Sequence, residues 1–177
     1  SSKEDIRNAS TDVCSVIAHT FELTSTQARK KNIRLYSECL PNEFYVNIDW
    51  AALAQICLNI TLNAIEATPE GKMIHAEVSN HNDKVRVLFI NDGAIIPKKI
   101  ERQIFNPFFT TKPNGTGLGL SVSKRLITDA GGTLRLVPNT EKTVFELLIP
   151  KTAEAQQKAT NGALFPKREI KRIRTNS

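Results

Sequence analysis

The sequence predicts an α+β protein, a two-layer α/β sandwich in which helices cover one face of a mixed, mostly antiparallel sheet. Helical-period segments and alternating apolar–polar segments both occur between residues 12 and 150, separated by short turn-forming stretches. Composition agrees, since 177 residues with 40% hydrophobic and 24% charged side chains are enough for one domain with its own core.

Residues 12–31 carry Val13, Val16, Ile17, Phe21 and Ala28 at near-helical spacing. IRLYSECL (33–40) and FYVNI (44–48) read as short strands. A second helix, 50–68, opens on Asp49 as N-cap and closes at the Pro69 to Gly71 turn. Its apolar face is Leu53, Ile56, Cys57, Ile60 and Ala64. Beside that face Gln55, Asn59, Asn63 and Glu66 share a polar stripe, because positions three and four apart neighbour each other. Residues 73–79 and 84–91 alternate as two strands of a hairpin around NHND, and the second runs straight into Asp92 and Gly93. A short helix over 97–105, a polar loop and a further helix ending at Gly131 and Gly132 follow. TLRLVP and TVFELLIP then supply two last strands across PNTEK.

Charge is unevenly placed. From 151 to 177 seven Lys/Arg stand against Glu154 and Glu169, so 7 − 2 gives +5 of the total +6. The basic balance belongs to a tail or linker rather than to the body, which has no basic stripe with stacking aromatics, so no nucleic-acid partner is expected. Cys14, Cys39 and Cys57 show no C-x-x-C spacing and sit among apolar neighbours, so buried thiols in a reducing, cytoplasmic setting are expected. No stretch reaches the ~18 apolar residues of a membrane span.

The chemistry concentrates in NPFFTTKPNGTGLGL, residues 106–120. Gly115, Gly117 and Gly119 precede a helix, so the backbone can approach a ligand and present unpaired N–H groups to an anion. Thr110, Thr111 and Lys112 place two hydroxyls and an ammonium on the same loop, which suits a lid over a polyphosphate. The spacing is G-x-G-x-G after a polar loop, which is not the dinucleotide fingerprint. Leu120 and Ser121 follow Gly119, which excludes a Walker loop.

Taken in order, LNITLNAIEAT, the strand ending at Asn91-Asp92-Gly93, IFNPFFTTK and GTGLGLSVSKRLITDAGGTLRL resemble the asparagine, first glycine, phenylalanine and second glycine boxes of sensor histidine kinases. That family is the protein-kinase branch of the GHKL ATPases, with the Bergerat fold, and the resemblance spans about residues 12–150. It implies ATP and Mg²⁺ as ligands. Asn63 would bind the metal, Asn59 would support the metal or its waters, and Lys112 would act with these two in catalysis. The resemblance would give Asn91, Asp92, Gly93 and Ile96 to the base, and Thr110, Thr111, Lys112, Gly115, Thr116, Gly117, Leu118, Gly119 and Leu120 to the phosphates, with Phe105, Phe108 and Phe109 anchoring the lid. It also implies a histidine nucleophile on a separate dimerisation domain, a response regulator as partner, a homodimeric parent of the kind that is either soluble or membrane-anchored, and a monomeric state for this piece. Residues 1–11 read as the end of that domain or its linker.

The first glycine box departs from the family. Asn91 stands where an adenine-reading aspartate is expected, with Asp92 beside it and turned to the other face if the strand stays regular. Ile95 replaces a glycine, and a β-branched residue disfavours φ > 0. These departures keep open a regulatory module of the same fold that binds little nucleotide. A topoisomerase-type clamp fits poorly, because Asn59 stands where its water-activating glutamate would be. None of His19, His75 and His81 is followed by the acidic residue and proline of the family's phosphoacceptor.

Overall fold

The structure, a computed structural model, describes residues 10–40, 42–138 and 141–155. The readings for residues 1–9 and for the tail beyond 155 lie outside the described residues. A short strand β1 (Thr11–Asp12) leads into helix α1 (Val13–Lys30), then β2 (Arg34–Glu38) and β3 (Tyr45–Val46). Helix α2 (Trp50–Ala67) follows, then the hairpin β4 (Met73–His81) and β5 (Lys84–Asn91). Two 3-10 turns, Lys98–Ile100 and Gln103–Phe105, precede helix α3 (Gly119–Asp129), β6 (Thr133–Leu136) and β7 (Thr143–Pro150).

Five strands form one sheet in the order β2-β4-β5-β7-β6. Only β2 against β4 is parallel, as the α2 crossover between them requires; the other pairs are antiparallel. Alternation decides the faces. Val85, Val87, Phe89 and Asn91 of β5 are buried on one side, opposite Ile149, Leu147, Phe145 and Thr143 of β7. That side meets Val13, Val16, Ile17 and Phe21 of α1, Leu53, Ile56, Cys57 and Ile60 of α2, and Ile127 of α3 in a single core. Each large side chain so buried contributes about 1.5–3 kcal/mol, which is what holds the helices to the sheet.

Both long helices start where the sequence places their caps. Asp12 accepts from the Cys14 amide, and Asp49 accepts from the Ala51 and Ala52 amides. The end of α2 is closed from outside the helix: Lys31, just past α1, donates its ammonium to the carbonyls of Ile65 (2.7 Å), Glu66 (3.0 Å) and Thr68 (2.8 Å). Carbonyls at a helix C-terminus lack intrahelical donors, and a cation there also complements the helix dipole. On the sheet face away from the helices, buried Glu146 accepts from Arg86 Nε (2.6 Å) and Arg135 Nε (2.5 Å). Burial pushes its carboxyl pKa up, but the hydrogen bonds from Arg135 and Arg86 outweigh that and hold it below the ordinary value.

Two expectations need correction. Residues 97–105 form two 3-10 turns rather than one helix, since Pro97 and Pro107 bound the segment and only Ile104 of these turns is buried. Cys14 and Cys39 are joined in a disulfide, their Cα atoms 5.4 Å apart, and only Cys57 remains a thiol. The pairing arises from the packing of α1 against the end of β2 across 25 residues, a tertiary closeness that no local cysteine spacing reveals. Burial pushes the Cys57 thiol up to about 12, which keeps it protonated and inert.

Candidate functional site

Asn59, Asn63 and Glu66 of the α2 stripe line a cleft of about 630 Å³ together with residues 109–117 of the loop and with Asn91 and Thr143 of the sheet, while Gln55 lies outside it. Asn59, Asn63, Asn91, Ile96, Thr110, Thr111, Lys112, Gly115, Thr116, Gly117, Gly119 and Leu120, twelve of the residues the sequence singles out, line it. Asp92, Gly93, Phe105 and Leu118 do not.

Strand regularity explains the sheet end. β5 keeps its alternation to its last residue, so Asn91 turns inward and is only 3% exposed, while Asp92 turns away. Lys142 donates a 2.7 Å hydrogen bond to Asp92 and lowers its pKa. Asn91 Nδ2 is buried and meets no acceptor in the protein. Such an amide carries an unmet desolvation cost of about 1–3 kcal/mol and marks a place for an acceptor from a ligand. Gly93 keeps the following turn tight: a Cβ there would lie 2.8 Å from the Ala67 carbonyl oxygen at the end of α2. Ile95 is 57% exposed and keeps negative φ, so it neither lines the cleft nor strains the chain.

Asn63 lines the same cleft from α2. Its Oδ1 accepts from the Lys112 ammonium at 3.1 Å, and the same ammonium pairs with Glu66 Oε2. An amide oxygen already holding a cation has the polarity a metal needs. Asn59 is engaged elsewhere, donating through Nδ2 to the Gly119 carbonyl (3.0 Å) and the Ser123 hydroxyl (3.1 Å). It thereby ties α2 to the first turn of α3.

The lid is built around one clasp. Gly117 adopts φ +68° and its carbonyl accepts from the Phe108 amide at 2.9 Å, while Phe108 itself has φ +65°. A Cβ at Gly117 would lie 2.7 Å from the Phe108 Cα, so only glycine fits. Phe109 packs on the core, Phe105 stacks edge-on against Phe145 (6.4 Å) with the Lys124 ammonium over its ring, and Phe108 is exposed. Leu118 precedes α3, and the start of that helix has no side-chain cap, leaving first-turn amides of a helix whose Gly119 and Leu120 line the cleft.

Sequence reasoning missed Leu62, Ala67, Ile100, Ile104, Thr143 and Phe145 in the lining. Thr143 was findable from strand register, since it pairs with Asn91, and its hydroxyl donates to the Ala94 carbonyl at 3.1 Å.

Comparison with known proteins decides the family. Residues 48–153 match the model of the histidine kinase-, DNA gyrase B- and HSP90-like ATPases. The catalytic domain of histidine kinase ThkA, nucleotide-free, is 35% identical with a TM-score of 0.72, covering 83% of this chain and 99% of that one. The chain belongs to the histidine kinase branch of these ATPases. As a histidine kinase catalytic domain it is also 32% identical over 137 residues to sporulation kinase A of Bacillus subtilis, and 34% identical over 146 to the signal transduction histidine-protein kinase AtoS of Escherichia coli. The matches cover 77% and 80% of this chain but 23% and 24% of those proteins, so the chain spans about a quarter of their length. ThkA in complex with the response regulator TrrA matches with 33% identity and a TM-score of 0.70, over 82% of this chain and 42% of that one.

Proposed function

We propose that residues 12–150 bind ATP with Mg²⁺ in this cleft and transfer the γ-phosphate to a histidine on a separate dimerisation domain, from which a response regulator receives it. The observation that carries the reading is the polarity of the cleft. One cleft holds both an unmet buried amide donor, Asn91 Nδ2, and a cation-holding oxygen, Asn63 Oδ1. Adenine offers a ring-nitrogen acceptor to the first, and a phosphate-bound cation suits the second.

In this reading Asn91 orients the base, with Gly93 and Ile96 shaping its surroundings and Asp92 held aside by Lys142. Asn63 holds the metal, which neutralises phosphate charge and polarises the transferring group. Lys112, Thr110, Thr111, Thr116 and the backbone of Gly115, Gly117, Leu118, Gly119 and Leu120 hold the phosphates, and Phe105, packed on Phe145, anchors the lid. Phosphoryl transfer through a loose transition state needs placement and charge neutralisation more than covalent help, which is what these groups supply. Asn59 fixes the start of α3 through Nδ2, and its Oδ1 supports the metal or its waters.

Domains of this kind work where ATP is present, so a cytoplasmic location is proposed; among the described residues no helix is long and apolar enough to cross a membrane. A homodimeric parent and a monomeric isolated domain complete the proposal. The test is calorimetry with ADP, with and without Mg²⁺, on the wild type and Asn63→Ala. Mg²⁺ should tighten binding in the wild type and lose most of that effect in the variant. Equal Mg²⁺ dependence in both overturns the metal assignment, and no binding at all favours a regulatory module of the same fold.

A further inference from the structure

Glu66 lies one turn past Asn63 on α2, and both side chains meet the same lid ammonium. We infer that Glu66 is a positioning residue that holds Lys112 down onto Asn63 before nucleotide arrives, acting as an internal competitor for the phosphates. The inference rests on the nucleotide reading of the cleft.

An ammonium has three N–H donors and no acceptor, and here it is directed at a carboxylate and an amide oxygen. A phosphate oxygen is the same kind of partner as a carboxylate oxygen, an anionic acceptor of a charge-assisted hydrogen bond. The two compete at Lys112, because two anionic acceptors gathered around one ammonium repel each other. The backbone around Glu66 is stationary, because the Lys31 ammonium is bonded to the carbonyls of Ile65, Glu66 and Thr68. The lid is the partner that moves, since residues 110–114 are exposed and Lys112 is the lid residue whose side chain bonds to α2 among the described hydrogen bonds. The pair is half-exposed, 43% for Lys112 and 57% for Glu66, so the contact is a weak latch that a polyphosphate can open.

Three variants test this: Glu66→Gln, which keeps shape and removes charge, Lys112→Met, which keeps the stem and removes the ammonium, and the double variant. Two readouts are taken, affinity for ADP in EDTA and amide exchange of residues 110–116 without nucleotide. Glu66→Gln is expected to tighten Mg²⁺-free ADP two- to fivefold and to speed lid exchange by a similar factor, the size of a half-exposed ion pair. With Lys112→Met already present, both effects of Glu66→Gln should fall below about 1.5-fold. An equal gain in affinity in both backgrounds overturns the inference, because Glu66 would then act as diffuse negative charge. Lid exchange that ignores Glu66→Gln overturns it as well. If no variant binds ADP, the nucleotide reading has failed, and the exchange data alone decide whether Glu66 holds the lid.

Discussion

Replacing Asn91 by aspartate tests the sheet end of the cleft most sharply. The site is 3% exposed and its Nδ2 has no protein partner. A neutral hydrogen bond contributes about 0.5–1.5 kcal/mol and one to a charged group about 1.5–3, so a carboxylate accepting from the adenine amine should outweigh the neutral Nδ2 bond to the ring nitrogen that it replaces by about 1 kcal/mol. That is a five- to tenfold tighter ADP complex. The nucleotide-free protein moves the other way. A carboxylate buried without a partner costs about 1–3 kcal/mol or more, and about 1 kcal/mol shifts the melting temperature of a domain this size by roughly 2–4 °C. Titration calorimetry and thermal unfolding with and without ADP should therefore show opposite signs, a less stable free protein and a larger stabilisation by nucleotide. Asp92→Asn serves as the control: with Lys142 as its partner outside the cleft, it should leave affinity within twofold. If Asp92→Asn weakens ADP binding and Asn91→Asp does not change it, the base is read from Asp92 and the reasoning fails.

Gly117→Ala should disrupt the Phe108 clasp, weakening ADP binding severalfold and accelerating exchange across 110–116; wild-type behaviour in both would remove the clasp from the lid's mechanics. Glu146→Gln should cost about 1–3 kcal/mol at neutral pH in urea unfolding, with affinity unchanged. Because the folded carboxyl lies below its unfolded value, the wild type has this stability in full above the unfolded pKa of about 4.3 and loses it as pH falls through the folded one, so the two proteins should converge in acid. The domain should not label itself with phosphate: His19 stacks on Trp50, His75 meets Glu77 at 3.0 Å, and His81 ends a hairpin strand. Base-stable, acid-labile label on any of the three would contradict this. Reduction of Cys14–Cys39 should lower the melting temperature while leaving ADP affinity unchanged, since the bridge joins α1 to the end of β2 and neither cysteine lines the cleft.

What was legible in the sequence was local. The 3.6-residue period put Asn59, Asn63 and Glu66 on one face of α2, and the two-residue period of β5 separated Asn91 from Asp92. The glycines before α3 marked the loop by conformational need, which Gly117 meets with its positive φ. What was hidden depends on distance along the chain. Thr143 and Phe145 reach the cleft through strand register, Lys31 reaches the end of α2 through the meeting of two helices, and Cys14 finds Cys39 through packing. The direction of Asn59 was also hidden, because its partners Gly119 and Ser123 lie about sixty residues away. The 97–105 segment misled because two prolines and little burial favour tighter turns over an α-helix.

The α2 helix also works as a ruler. Asn59 holds the neighbouring helix, Asn63 the cation site and Glu66 the lid, at successive steps of four and three residues. Each residue advances a helix by about 1.5 Å and turns it by about 100°. One residue inserted between Asn59 and Asn63 would thus swing Asn63 and Glu66 off the cleft while leaving every side chain chemically present. Four inserted residues would bring them back to nearly the same bearing, about 40° past a full turn, but about 6 Å too far along. The three contacts share one rotational phase, so the length of this segment is fixed as firmly as its composition.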